Sequence, residues 1–350
     1  MRVKANNIGI KLRLHQQKIW WLNHVLFFLA IIVLSLLSIS DYHKNLLLEK
    51  GGIENRQLLF VNPFSDCKGD VGFDTKELVS FKQHMEGFIK EGVKANIIKS
   101  SAVYFKDLNN CSWFSINERE KFSPGSLLKV PLLTGYLKKA ETDPQLFKKR
   151  VQFVRDEEFV DSQYIKPVKE IEIGKTYTIE ELLYRAIVYS DNKAARQLFY
   201  LDNGTSFFKA FNDILLHHNI KLEQHVSINV RDYAEFFTAL YNASYLNRDM
   251  ANSALKLLAE VDFKKGLVAG IPANVRIAHK FGEWGTGQDV EFHDCGIIYY
   301  PQHSYLLCVM AKGENEENLI KNAQDISGLT YQYVDMLLRN SRLRRLPTQM

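Results

Sequence analysis

Cysteine is scarce in this chain: Cys67, Cys111, Cys295 and Cys308 are the whole supply in 350 residues, and their spacing matches no metal-binding pattern. No metal or other cofactor is therefore expected. None of the four borders the apolar run 19–39, which argues against a lipid-modified N-terminus. Basic excess is missing from the body of the chain as well. The net charge is +5, and the first eighteen residues supply all of it with Arg2, Lys4, Lys11, Arg13 and Lys18 and no acid. The rest is balanced in sign, so no basic face for nucleic acid is indicated and no nucleic-acid partner is expected. A disordered composition is also lacking, because 46% hydrophobic and 24% charged residues suit a full core in one large domain or two small ones.

One long apolar run is present. Residues 19–39 are interrupted only by Asn23, His24, Ser35 and Ser38, and at about 1.5 Å per residue they span roughly 30 Å, enough to cross a bilayer as a helix. The basic residues before the run place the N-terminus in the cytoplasm, with Trp20 and Trp21 at headgroup level. This reading divides the chain into a cytoplasmic basic tail (1–18), a transmembrane signal-anchor (19–39), a linker (40–73), a folded domain outside the cytoplasm (74–340) and a basic tail (341–350). A cleaved signal peptide, with 25–37 as its apolar segment and Ser38-Ile39-Ser40 as its cleavage site, is the competing reading. The retained anchor is preferred because serine matches a cleavage site less well than alanine and the run is long. Either way the domain lies in a compartment that permits disulfides. Cys67 with Cys295 is the expected pair, and Cys308, inside the apolar run 305–310, is expected as a buried free thiol.

Apolar periodicity predicts helices over 74–90, 143–153, 180–189, 192–201, 206–217, 230–241, 251–261 and 316–338. Strands are predicted over 102–108 and 112–116, joined by Asn109-Asn110-Cys111, as two short segments around Gly174 within 168–179, and over 276–280, 296–300 and 305–311, with Pro301-Gln302-His303 as a hairpin turn. His293-Asp294-Cys295 reads as a turn entering a strand rather than as a cysteine nucleophile. Strands at both chain ends and helices between them predict an α+β fold: one antiparallel sheet formed from both ends, covered by helices, with a mostly helical region inserted.

Between the first strands and that helical region stands Phe122-Ser123-Pro124-Gly125-Ser126-Leu127-Leu128-Lys129, a loop and turn leading into an apolar helix. If Ser126 opens the helix, its hydroxyl and the Lys129 amine share one face a turn apart, and its N–H is outside the helical bonding. A serine becomes nucleophilic only with a base in reach, and a lysine is a base only when burial or a second cation keeps it neutral. Ser-x-x-Lys occurs five times here, so spacing alone decides nothing. Only Ser126 combines a Pro-Gly turn before it with a Leu/Val/Pro-rich run after it.

Two further triplets follow: Ser190-Asp191-Asn192 between two predicted helices, and Lys280-Phe281-Gly282 at the end of a predicted strand. Ser-x-x-Lys, Ser-Asp-Asn and Lys-x-Gly in that order resemble the class A β-lactamases and penicillin-binding proteins. Tyr177-Thr178-Ile179-Glu180-Glu181-Leu182 and Gly270-Ile271-Pro272-Ala273, which lead into the second and third triplets, are similar too. The resemblance covers about 74–338 and implies a β-lactamase/transpeptidase-like fold. It implies Ser126 as the acyl-accepting nucleophile, Lys129 as its base, Ser190 as proton relay, Asn192 as a holder of the substrate amide and Lys280 as a positive charge on the far wall. The N–H groups of Ser126 and of Glu283, which follows Gly282, would form the oxyanion hole.

The chain departs from the family at two points. Phe281 stands where Thr or Ser usually helps to bind a substrate carboxylate, and it cannot donate a hydrogen bond. Only residues 219–226 separate two helical stretches where class A β-lactamases carry the loop with the glutamate that activates the deacylating water. Glu223 is the one acid there and is expected to be a solvated loop charge, so hydrolysis of an acyl-enzyme is expected to be slow. The expected function is a membrane-anchored serine hydrolase outside the cytoplasm that forms an acyl-enzyme on Ser126 with a cell-wall, peptidoglycan-like peptide or related amide. A true class A β-lactamase acting on β-lactams and a catalytically silent wall-peptide-binding module are the alternatives.

Overall fold

Residues 60–62, 76–154, 163–215, 226–301 and 303–345 are described by the structure, a computed structural model. The expected tail 1–18 and anchor 19–39, Cys67 and Glu223 lie outside the described residues, as does Gln302 of the expected hairpin turn. Among the described residues no helix is long and apolar enough to cross a membrane.

Along the chain come α1 (Lys76–Lys94), β1 (Ser100–Asp107), β2 (Trp113–Ile116), a 3₁₀ turn (Gly125–Leu128) and α2 (Lys129–Ala140). A second 3₁₀ turn (Pro144–Lys148), β3 (Arg150–Gln152) and β4 (Thr176–Thr178) lead to α3 (Ile179–Val188), α4 (Asn192–Leu201) and α5 (Thr205–Ile214). After α6 (Val230–Tyr241) and α7 (Arg248–Ala259) come β5 (Arg276–Thr286), β6 (Asp289–Tyr300), β7 (His303–Gly313) and the terminal helix α8 (Glu316–Arg345).

The fold is α+β, with a five-stranded antiparallel sheet in the order β2-β1-β7-β6-β5. Both chain ends contribute strands, and the helices between β2 and β5 form the inserted region. Every residue of β7 from Tyr305 to Ala311 is buried, so both faces of the central strand are covered; α6 and α8 both pack on it. Phe81 of α1 stacks on Tyr333 of α8 with ring centroids 4.1 Å apart, tying the two chain ends together.

Several expectations need correction. The segment 143–153 is not a helix: Pro144 opens a 3₁₀ turn, and Arg150–Gln152 pairs with β4 as a small second sheet. Only one strand, β4, forms within 168–179. The three late strands run well past their expected ends, because polar residues such as His279, Lys280, His293 and Asp294 are buried within them and interrupt the apolar pattern. The triplet His293-Asp294-Cys295 accordingly lies inside β6 and is no turn. Its cysteine faces Cys308 directly in register and bonds to it, so the expected Cys67–Cys295 pair and the free Cys308 thiol are both overturned. Part of the expected linker is docked rather than free. Phe60 and Val61 are buried, Asn62 N–H donates to the Tyr241 carbonyl (2.8 Å), and the Tyr299 hydroxyl donates to the Phe60 carbonyl (3.0 Å). Burying one such aromatic side chain is worth about 1.5–3 kcal/mol, enough to pin the segment. At the other end α8 continues into the expected basic tail as far as Arg345.

Candidate active site

Ser126 sits in the 3₁₀ turn that runs into α2. The first hydrogen bond of that turn runs from Leu127 N–H to the Pro124 carbonyl (3.0 Å), so Ser126 N–H lies ahead of the bonded turn. Residues three apart eclipse in a 3₁₀ helix, more closely than in the α-helical start expected from sequence. Lys129 Nζ accordingly stands 2.8 Å from Ser126 Oγ.

The turn is held from three directions. Tyr233 of α6 donates its hydroxyl to the Leu127 carbonyl (2.9 Å). From β6, His293 Nε2 donates to the Ser123 carbonyl (3.0 Å) and Glu291 accepts Ser123 N–H (2.7 Å). The edge of β5 presses on the turn where only glycine fits: a Cβ on Gly282 would stand 2.6 Å from the Pro124 oxygen, and one on Gly125, at φ +51°, 2.1 Å from the Glu283 oxygen.

Lys129 is buried, and its further partners include the Ser190 carbonyl (2.6 Å), Ser190 Oγ (3.0 Å) and Asn192 Oδ1 (2.7 Å). The Ser190 carbonyl and Asn192 Oδ1 can only accept, so each takes a lysine hydrogen. A neutral amine has two hydrogens and one lone pair. With the proton removed from Lys129, those two acceptors would take both hydrogens and the lone pair would face the Ser126 hydroxyl, which suits proton abstraction. Lys280, fully buried, donates to Ser190 Oγ (3.0 Å) and to the Phe281 carbonyl (2.8 Å). Burial pushes the Lys280 amine well below its ordinary range, and the Lys129 charge adds to the effect. Ser190 Oγ thus lies between two amines, and Ser190 adopts a left-handed backbone, φ +56°.

The middle triplet divides its work. Asp191 is the N-cap of α4, accepting N–H bonds from Lys193 (2.8 Å) and Ala194 (3.2 Å), and it also accepts Ile171 N–H (2.8 Å). Burial raises its carboxyl above the usual range despite these bonds. Its neighbours Ser190 and Asn192 face the lysines, so the cap anchors the residues that approach Lys129. Gln163, which carried no signal in the sequence, donates to the Ser190 carbonyl (3.2 Å).

These groups open onto a crevice of about 980 Å³ lined among others by Ser126, Lys129, Gln163, Tyr164, Asn192, Phe199, Glu283, Trp284 and Glu316. The structure brings Ser126, Lys129, Ser190, Asn192 and Lys280 into one bonded cluster. Gly282 lies behind the nucleophile turn, and Glu283 stands on the crevice wall. Phe281 is placed differently. Its ring is buried against Phe263, with centroids 4.4 Å apart and Lys280 Nζ 3.9 Å above it, and it does not line the crevice. Glu316, also unannounced by any motif, reaches the crevice from the first turn of α8.

No curated protein sequence matches this chain. Among solved structures, PBP-A superposes with a TM-score of 0.63 at 18% identity, covering 74% of this chain and 97% of that one. A class A β-lactamase from Mycobacterium abscessus gives 0.61 at 16% identity, with 72% and 99% covered. A β-lactamase from Sphaerobacter thermophilus gives 0.61 at 16%, with 73% and 97% covered. At these identities the likeness speaks for the fold. The family follows from sequence, since the model of the "Beta-lactamase enzyme family" matches residues 88–334, a span that holds every residue of the cluster around Ser126, and the chain therefore belongs to that family of serine hydrolases.

Proposed function

We propose that the protein forms an acyl-enzyme on Ser126 with a peptide or related amide of the cell wall, from a domain held outside the cytoplasm by the N-terminal segment 19–39. Ser126 Oγ attacks the carbonyl carbon while its proton passes to Lys129 Nζ. The carbonyl oxygen takes up the electron pair beside the N–H groups of Ser126 and Glu283; the close approach of the Glu283 backbone to Gly125 supports this pairing. When the C–N bond breaks, the proton reaches the leaving nitrogen through Ser190 Oγ. The observation that carries this reading is the Lys129 contact set, whose two obligate acceptors leave the lone pair for Ser126. The charge pattern of the first eighteen residues and the apolar run after them support the anchored topology.

The test is intact-mass analysis of the full-length chain after exposure to a fluorophosphonate and to penicillin G. One covalent fluorophosphonate adduct, absent in Ser126→Ala, is expected, with a penicillin adduct that forms slowly and persists. An unlabelled native chain would remove the nucleophile. Rapid, repeated opening of a β-lactam without accumulating adduct would instead favour a true β-lactamase.

A further inference from the structure

Facing the nucleophile turn, the crevice has an acidic wall. Glu283 on the edge of β5 and Glu316 in the first turn of α8 both line it, and so does the half-exposed indole of Trp284. Glu316 is only 8% exposed, and its Oε1 has no hydrogen-bond partner. Glu283 lies beside it and spans to the opposite wall, where both its carboxylate oxygens accept Ile165 N–H (3.2 and 3.0 Å). Burial first, and the Glu283 carboxylate second, push the Glu316 carboxyl up to about 9. At neutral pH the Glu316 carboxyl therefore holds its proton.

Among the described residues no basic side chain pairs with either acid. Lys280 lies behind them and is committed to Ser190 and the Phe281 carbonyl. At this end of the sheet Lys99 is paired with Asp289 (2.9 Å) and Glu314 (3.5 Å), and Lys312 with Glu120 (3.6 Å) and Glu291 (3.9 Å). Among the described residues no group of three or more acidic, histidine or cysteine side chains could hold a metal ion, so an inorganic cation lacks its ligand set. A buried acid with one unpartnered oxygen, a neighbouring carboxylate that accepts a loop N–H and an open aromatic face are together suited to an organic cation.

We propose that Glu283 and Glu316 form a subsite for the positively charged amine of the acyl-donor substrate, so that this chain selects a cationic group where the missing hydroxyl at Phe281 has already weakened the hold on a carboxylate. The inference rests on Ser126 as the acyl acceptor. An incoming ammonium would take up Glu316 Oε1, draw Glu283 from Ile165 and lie against Trp284.

Three aryl boronates, which bond reversibly to a nucleophilic serine, test it on the full-length chain by calorimetry: phenylboronic acid, its 3-aminomethyl derivative and its 3-carboxy derivative. The aminomethyl compound should bind at least about tenfold more tightly than the carboxy compound, since unit charges near a protein surface interact strongly at contact distance. Glu283→Gln and Glu316→Gln, both nearly isosteric, should each reduce that ratio. Equal binding or the reverse order in the unmodified chain would overturn the subsite, and so would an order unchanged in both variants. Failure of the nucleophile reading looks different, with all three compounds binding Ser126→Ala as tightly as the unmodified chain while their order still reports the acids. If none binds, both readings fall.

Discussion

On one wall of the crevice Lys129 and Lys280 meet Ser190 and Asn192 in one hydrogen-bonded cluster, whereas on the other Glu316 holds an oxygen with no partner. The first wall is over-determined: it is capped by Asp191, pinned by Tyr233 and pressed by Gly282. The second wall is poised, since among the described residues neither of its acids forms an ion pair and one oxygen of Glu316 has no hydrogen-bond partner. The comparison teaches a division of labour in which chemistry requires a prearranged wall and selection is left to an unsatisfied one.

The largest effect should come from breaking the prearranged wall. Lys129→Ala would remove the proposed base and should slow fluorophosphonate labelling or penicillin acylation about 10²–10⁴-fold, the usual worth of a positioned base. Circular dichroism should show an intact fold, and unchanged labelling would take the lysine out of the mechanism. Gly282→Ala comes next. Its Cβ would stand 2.6 Å from the Pro124 oxygen and 3.0 Å from Leu127 N, so the nucleophile turn must move. We expect a loss of about 1–3 kcal/mol in urea unfolding, as for other overpacked sites, together with slower acylation.

The smallest effect at neutral pH belongs to the poised wall. A carboxyl raised to about 9 in the folded chain, against an ordinary 4.5, holds its proton more tightly folded than unfolded. Stability contributed by Glu316 is therefore full below the lower value and lost as pH rises toward the upper one. Glu316→Gln should flatten urea midpoints across that interval, and an unaltered slope would assign the pH dependence to other groups.

The legibility of the two walls in the sequence differs in the same way. Ser126, Lys129, Ser190, Asn192 and Lys280 were readable because each stands in a short local motif, and the α+β layout followed from strands at both chain ends. Glu316 was not, for it stands at an ordinary helix start, and its meeting with Glu283 depends on how α8 lies against the edge of the sheet. The disulfide was misassigned for a related reason. Cys295 and Cys308 bond because strand register sets them opposite one another, and register is invisible until the ends of both strands are known. Phe281 was read for the hydroxyl it lacks; what it adds, a ring under Lys280 and against Phe263, depended on a partner far along the chain.

Ser190 shows stability and function competing at a single Cα. Its left-handed backbone would suit glycine, and holding a serine there costs about 1–2 kcal/mol. Glycine, however, has no hydroxyl to place between Lys129 and Lys280. A search for stabilising substitutions would arrive at glycine at this position and, by the same step, disconnect the two lysines.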